Sequence, residues 1–268
     1  MNKKITIIGG GNLGIAIAEG LITDSFVAPK NVTITRRRIA LLEKLATKGV
    51  HVSQENAEAA QNADIIILAI KPYQIKKILQ EISAVLKPKK QILISVVTGY
   101  TLAEMKDDIG KNMISFRAMP NTAIAIGASM TCLATNNGSE KDIKLVTAIF
   151  DTLGKSVLIN EELMEAATVL GASGIAFSLR FIRAATQGGI EMGFDAKTAE
   201  LIASQVVKGA ASLILEHKNH PESEIDKVTT PQGCTIVGLN EMEHQGFSSS
   251  LIKGLLSSYN KIAKTPHR

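Results

Sequence analysis

The sequence predicts an α/β fold in its first 160 residues and an all-helical fold in the remainder, on three observations. Short apolar runs alternate with helix-patterned segments as far as about residue 160, the order that produces a mostly parallel sheet covered on both faces. From Glu161 onward the runs stop and only helical periodicity continues. The third observation is a glycine cluster, Gly9-Gly10-Gly11-Asn12-Leu13-Gly14, placed between a strand and a helix. The chain is therefore expected to divide into residues 1–160 and 161–268.

Taken in order, Ile5 to Ile8 is a buried strand and Ile15 to Leu21 the helix after the glycines. Val32 to Thr35 is a second strand, followed by a helix over 38–48 with Leu41, Leu42 and Leu45 on one face. Val50 to Val52 and Ala57 to Gln61 give a short strand and a brief helix. Ile65 to Ile70 is apolar throughout, as a strand buried on both faces requires. Pro72 opens a helix with Ile75, Ile78, Leu79 and Ile82 at helical spacing, and Ile92 to Val96 is a fifth strand. Thr101-Leu102-Ala103-Glu104 has the form of a capping box. Further strands are expected over 114–117, 129–134 and 156–159, with a helix from Ser139 through Phe150. The second half reads as helices over 162–171, 175–192, 196–216, 236–245 and 248–264, Asp195 capping the third. That third helix carries a broad apolar face with many small residues, which suits packing against a partner subunit or within the monomer.

Composition narrows the class. A hydrophobic share of 45% beside 21% charged residues is that of a globular chain with an aliphatic core. The net charge of +5 includes no basic run longer than Arg36-Arg37-Arg38, which argues against a nucleic-acid partner. No apolar run looks long enough to span a bilayer. No signal peptide is expected, so Cys132 and Cys234 should be reduced and the protein cytoplasmic. The histidines His51, His217, His220, His244 and His267 are scattered, and no metal-ligand spacing occurs.

The glycine cluster carries the chemistry. Gly9, Gly11 and Gly14 fit the G-x-G-x-x-G pattern in its strand–turn–helix setting. Gly9 permits the sharp turn, Gly11 lets a pyrophosphate reach the backbone, and Gly14 lets the helix pack on the strand. Asn12 and Leu13 complete the turn, whose phosphates would sit at a helix N-terminus. An NAD site expects an acidic residue after the second strand, at a spacing of roughly 20 residues. Here the strand runs into Thr35-Arg36-Arg37, whose guanidinium groups suit a 2′-phosphate, so NADP(H) is preferred over NAD(H). Strand ends at Ala69-Ile70-Lys71-Pro72 and Met119-Pro120-Asn121-Thr122 should also reach the cofactor. Asn56 and Asn121 suit hydrogen bonds to ribose or carboxamide, or serve as caps or turn residues. In the helical half, Thr229 to Thr235 forms a loop before a helix, where Thr235 is either a functional hydroxyl or an N-cap.

With these stretches in hand, the sequence resembles the pyrroline-5-carboxylate reductases. The supporting segments are 8–14, 66–72, 117–122, 170–177 and 228–236. The resemblance implies an N-terminal Rossmann-like domain and a C-terminal helical domain forming an intertwined homodimer, sometimes assembled into decamers. It implies NAD(P)H-dependent reduction of the C=N bond of 1-pyrroline-5-carboxylate to L-proline, the last step of proline biosynthesis. It also implies that Ser173, Gly174, Gly233, Cys234 and Met119 contact the substrate. Backbone N–H groups near Gly233 and Cys234 would hold its carboxylate, and the Thr235 hydroxyl would bond the ring nitrogen.

The chain departs from the family pattern in places. It has Ala172, Ile175 and Phe177 where the family usually has Gly, Pro and Tyr, Gln232 where it has Gly, and Ala123 where it has Pro. A glycine lost at Gln232 matters if the turn needs positive φ, which glutamine tolerates poorly. Two other readings stay open. One is an NADP-dependent enzyme of the same fold acting on another imine or a hydroxy acid, although the helix over 175–192 offers Arg180 and Arg183 and no lysine base. The other is a non-enzymatic NADP-binding relative.

Overall fold

The computed structural model describes residues 1–23 and 25–263; Lys264, where the last helix was expected to end, and His267 lie outside them. The chain separates into two compact units. One comprises Met1–Ser173 with the described residues from Lys261, the other Gly174–Asn260.

The first unit is built on one eight-stranded sheet. Its strands are β1 (Ile5–Ile8), β2 (Val32–Thr35), β3 (His51–Ser53), β4 (Ile65–Leu68), β5 (Ile92–Ser95), β6 (Ile114–Met119), β7 (Ser129–Ala134) and β8 (Gly154–Leu158). They lie in the order β3-β2-β1-β4-β5-β6-β7-β8. Neighbours run parallel except β6 and β7, which are antiparallel. Every residue of β1, β4 and β5 is buried, because helices cover both faces of a parallel sheet. Strand β6 sorts its side chains by alternation. Ile114, Phe116 and Ala118 join the larger core cluster, while Met119, on the opposite face, packs with Cys132, Ala134 and Met164.

The connecting helices are α1 (Asn12–Thr23), α2 (Glu43–Ala46), α3 (Asn56–Gln61), α4 (Ile75–Ser83), α5 (Leu102–Ile109), α6 (Glu140–Asp151) and α7 (Met164–Ala167). Helix α1 buries Gly14, Ile17, Ala18 and Leu21, one face at helical spacing. The capping box before α5 forms. The Thr101 hydroxyl accepts from the Glu104 N–H, and the Glu104 carboxylate accepts from the Thr101 N–H at 2.8 Å. Ser139 caps α6 likewise.

The expected helix over 38–48 does not form as one piece. A 3₁₀ turn at Ile39–Leu42 precedes the single α turn of α2. Leu42 and Leu45 anchor the segment in the core, while Leu41 is 54% exposed, so the three leucines do not share one face. Arg38, at φ −104° and ψ 85°, is not helical.

The segment 161–173 was expected to be an ordinary helix over most of its length. It is a 3₁₀ turn at Glu161–Leu163, then α7, then a π-helical turn at Thr168–Ser173. It packs on β6 and β7. The 160/161 boundary read from the sequence and the division after Ser173 therefore bracket this segment.

The second unit consists of α8 (Gly174–Glu191), α9 (Ala196–His217), α10 (Pro221–Asp226), α11 (Cys234–His244) and α12 (Phe247–Ala263). Asp195 caps α9, its carboxylate accepting from the N–H groups of Lys197 and Thr198. Helix α10 was not anticipated. The Pro at its first position and the His220 ring accepting from the Glu222 N–H start it. Gly189 meets Ala199 closely where α8 packs on α9, and the Phe181 and Phe247 rings meet edge to face at 6.1 Å. Only Thr186, Gly189, Ala199 and Ala203 are buried among the described residues 174–260.

One sequence reading needs correction here. Among the described residues two helices, Glu161–Glu191 and Ala196–His217, are long and apolar enough to cross a membrane by length and composition, each with a window of mean hydropathy 1.2. Neither contains a long unbroken apolar run. Scattered Ala, Ile, Leu and Val raise the average over the window without one.

One buried polar side chain holds much of the first unit's geometry. Gln91, 1% exposed, donates to the carbonyls of Ala60 and Ala63 and accepts from the Lys87 N–H. It closes the end of α3 against the start of β5. Gln91→Leu leaves the Ala63 carbonyl and the Lys87 N–H without their side-chain partner, while the Ala60 carbonyl keeps the N–H of Ala63, and each buried unpaired group costs about 1–3 kcal/mol. The expected loss is about 2 kcal/mol or more of unfolding free energy, read as a lower urea midpoint at unchanged m.

Candidate functional site

A cleft of about 790 Å³ opens where the strand order reverses. Strand β1 sits there between β2 and β4, the point at which ligands bind at the carboxyl ends of strands. The cleft is lined by the residues that follow β1, β2, β3, β4 and β5. From the expected cofactor set it brings together Gly9, Gly11, Asn12, Leu13, Thr35, Arg36, Arg37, Asn56, Ala69, Lys71 and Pro72.

The three motif glycines differ in what makes them glycine. Gly9 adopts φ +111°, and a Cβ there would lie 2.3 Å from the Ala69 carbonyl oxygen. A Cβ on Gly14 would lie 2.0 Å from the Gly9 carbonyl oxygen, so α1 rests on the turn itself. Gly14 is buried and does not line the cleft. At Gly11 a Cβ would meet nothing of the protein within 4 Å. Packing thus demands glycine at 9 and 14, whereas Gly11 leaves its backbone open to the cleft. That open cradle at the start of α1 fits a pyrophosphate.

The turn is tied to β2. The N–H groups of Gly9 and Gly10 both donate to the Thr35 carbonyl, at 3.2 and 2.8 Å. Arg36 returns the contact, its Nη1 donating to the Gly10 carbonyl at 2.5 Å. Arg36 is half-buried and Arg37 exposed, and Gln54 Nε2 holds the Arg37 carbonyl at 2.7 Å. The Thr35 hydroxyl donates to Asn56 Oδ1 at 2.6 Å, and Asn56 Nδ2 donates to both carboxylate oxygens of Glu81. Asn56 is the first residue of α3 and not its cap, which is Glu55. Its amide is oriented from both sides, with Glu81 behind it. Leu41, Gln54, Gln74, Ile78, Val96, Val97 and Thr98 also line the cleft and were not singled out in the sequence. Only their position just after a strand, or one helical turn beyond it, could have signalled them.

Met119, Pro120 and Asn121 do not line this cleft. The Met119 side chain is buried with Cys132, Ala134 and Met164. Asn121 is a cap. Its Oδ1 accepts from the Ala123 N–H at 3.0 Å, its own N–H donates to Ser129 Oγ at 3.0 Å, and its Nδ2 donates to the Gly171 carbonyl at 3.1 Å. That last bond reaches into the π-helical turn that ends at Ser173, and π turns often accompany functional sites.

In the second unit, Thr230 to Gly233 forms a β-turn, the Gly233 N–H donating to the Thr230 carbonyl at 2.9 Å. Pro231 occupies its second position and Gln232, at φ +61°, its third. This is the type II pattern, which favours glycine at the third position. Glutamine there adopts the left-handed conformation at a cost of roughly 1 kcal/mol. Gly233 is fixed by contact, since a Cβ would lie 2.5 Å from Thr230 Oγ1. Gly233 is the N-cap of α11, Cys234 its first residue and Thr235 its second. Thr235 is therefore not the helix cap. Its hydroxyl, half-buried, forms no hydrogen bond among the described residues.

The glycine turn, the switch-point cleft and the paired arginines together define a nicotinamide-dinucleotide-binding oxidoreductase with a Rossmann-type domain. Comparison with known proteins narrows the class. Residues 4–99 match the family model described as NADP oxidoreductase, coenzyme F420-dependent, and residues 161–265 match the pyrroline-5-carboxylate reductase dimerisation model. The chain is 39% identical to pyrroline-5-carboxylate reductase 2 of Dictyostelium discoideum over 98% of this chain and 93% of that one. It is 34% identical to the Synechocystis pyrroline-5-carboxylate reductase over 97% of each chain. A second Dictyostelium relative is 44% identical, and this chain spans half of its length. The solved pyrroline-5-carboxylate reductase of Coxiella burnetii superposes with a TM-score of 0.93 at 31% identity over 98% of each chain. That of Plasmodium falciparum, with NADP bound, gives 0.86 at 25% identity over 97% of each. The chain belongs to the pyrroline-5-carboxylate reductase family.

The glycine geometry predicts opposite outcomes for two conservative changes. Gly14→Ala drives a methyl into the Gly9 carbonyl and should lower unfolding free energy by about 1–3 kcal/mol. Gly11→Ala should leave the melting temperature nearly unchanged while weakening NADPH binding at least tenfold, measured by fluorescence titration.

Proposed function

We infer that this chain reduces the C=N bond of 1-pyrroline-5-carboxylate to give L-proline, with NADPH as the preferred hydride source. The observation that carries the reading is Thr235. Its hydroxyl is unpaired within the described chain and stands on the first turn of α11, beside the left-handed turn at Gln232. The N–H groups at the start of α11 point out of the helix end and favour a carboxylate. Gly233 and Cys234 bind that carboxylate, with Ser173 and Gly174 completing the substrate contacts. The Thr235 hydroxyl donates to the ring nitrogen, which must gain a proton as the imine becomes an amine.

When bound, the nicotinamide supplies the hydride. The protein supplies place and register, which account for much of the rate in a reaction of this kind. Gly11, Asn12 and Leu13 cradle the pyrophosphate. Arg36, already fixed on the Gly10 carbonyl, and exposed Arg37 take the 2′-phosphate. Leu41 offers an apolar surface beside them. Lys71 and Pro72 border the same cleft. Met119, Pro120 and Asn121 act by shaping the end of β6. Both cysteines are free, which suits a reducing compartment such as the cytoplasm.

The second unit pairs with a second copy of the chain. Its exposed apolar side chains include Leu201, Val206, Leu215 and Val237, each at least 62% exposed. Large apolar side chains left exposed in this number mark an interface, and the same segment matches a dimerisation model.

Three outcomes are expected. Thr235→Ala should lower kcat by at least 100-fold with NADPH affinity within twofold, measured by cofactor oxidation with the imine as substrate. If turnover is unchanged, Thr235 has no part in the reaction. Arg36→Ala together with Arg37→Ala should weaken NADPH binding tenfold or more and leave NADH binding nearly intact; equal loss for both coenzymes would remove the 2′-phosphate reading. In sedimentation, the wild type should run as at least a dimer, and Val206→Lys should lower its mass or render it insoluble.

A further inference from the structure

Outside the cleft, the side chain that most needs explaining is Arg117. It lies on β6, with β5 on one side and β7 on the other, and is 3% exposed. A charge taken out of water is unfavourable unless paired. Even paired, it often stabilises a fold no better than an apolar side chain of its size. Fixing a geometry is the better-attested use of such a group, and the partners of Arg117 show which geometry.

They lie on the segment after β8. Nη1 is 3.2 Å from Glu161 Oε1 and Nη2 is 3.6 Å from Glu165 Oε1. Nε has no acceptor among the described residues. Glu161 is shared further, its Oε1 accepting from the Leu102 N–H at 2.7 Å and its Oε2 from Asn136 Nδ2 at 3.2 Å. The start of α5 and the turn after β7 are thereby tied to the same carboxylate. Met119, on the same face of β6 as Arg117, packs with Met164, which lies between the two glutamates in sequence. Ten residues past Glu161, Asn121 donates to the Gly171 carbonyl. One strand and the residues that follow it thus hold the segment 161–173 near both ends, and the segment finishes in the π turn at Ser173.

We propose that Arg117 is a positioning residue for substrate binding. With Glu161 and Glu165 it sets the base of the helical segment, and with Asn121 holding Gly171 it sets where Ser173 stands. This rests on the reading of Ser173 and Gly174 as substrate contacts. Arg117 touches neither substrate nor cofactor and acts through the segment alone. The fork of its guanidinium addresses two carboxylates at once, which a lysine cannot reproduce.

The test uses the full-length protein with Arg117→Met, Arg117→Lys and Glu165→Gln. Arg117→Met should raise KM for the imine tenfold or more, with the dissociation constant for NADPH within twofold of wild type. Arg117→Lys should fall between Met and wild type, and Glu165→Gln should give a threefold or larger rise in KM. Amide hydrogen exchange should quicken within 168–173 and stay at the wild-type rate in β1, β4 and β5. The proposal is overturned if folded variants keep wild-type KM and wild-type exchange. It is also overturned if NADPH binding weakens as much as KM rises while exchange quickens across the whole sheet. Should Arg117→Met fail to fold, Glu165→Gln carries the same comparison. If the wild type does not turn over the imine, the functional reading fails, and exchange within 168–173 alone decides whether Arg117 positions the segment.

Discussion

The approach of Gly14 to the carbonyl of Gly9 is the contact on which the rest of the cleft depends. A single Cβ at residue 14 would occupy the place of that oxygen. Because the helix can come this close, its first N–H groups lie against the end of β1. Because Gly9 takes positive φ, the chain turns sharply enough for its N–H, and that of Gly10, to reach the Thr35 carbonyl of β2. The same turn presents the Gly10 carbonyl to Arg36. The phosphate cradle and Arg36, the first of the two arginines expected to select the coenzyme, are therefore one hydrogen-bonded unit. Moving α1 outward by the width of a methyl would disturb both ends of it.

The second unit obeys a different constraint. A helical segment is stable in water chiefly through the apolar face it buries, yet only four of the described residues 174–260 are buried. Leu201, Val206 and Leu215 face outward on α9, a helix apolar enough to resemble a membrane span in average hydropathy. Surface of this kind asks for a covering, which the proposed pairing of two copies would supply, and the segment matches a dimerisation model. Small residues serve the same end. Gly189 and Ala199 let α8 and α9 approach closely.

Much of this was legible in the sequence, for reasons visible at particular residues. Ile65 to Leu68 is apolar without a break because that strand is buried on both faces. The starts of α5 and α6 were legible because their caps are local, made by side chains three residues apart. What escaped depends on distant contacts. The 38–48 segment breaks its helix because Leu42 and Leu45 are drawn into the core while Arg38 leaves helical geometry. The π turn at Thr168–Ser173 mixes strong and weak helix formers and so has no local signature, and a carbonyl within it is held by Asn121, fifty residues earlier. Asn56 looked like a ligand or a cap; it is neither a cap nor free, since Thr35 and Glu81 fix its amide. The role of Glu81 exists only because the fold packs α4 against α3, and that of Gln54 only because β3 lies beside β2.

Gln232 shows how a departure from the family pattern acquires physical meaning. The turn before α11 needs a residue in the left-handed region, and the backbone adopts that conformation with glutamine in place. Keeping it requires constraint from both sides. Pro231 fixes φ ahead of it, and Gly233 behind it tolerates the close approach of Thr230. The turn therefore keeps the shape that glycine would have taken without strain, and the helix start with Thr235 follows from that shape. The substitution therefore leaves the turn ahead of α11 formed and adds a side chain at its third position.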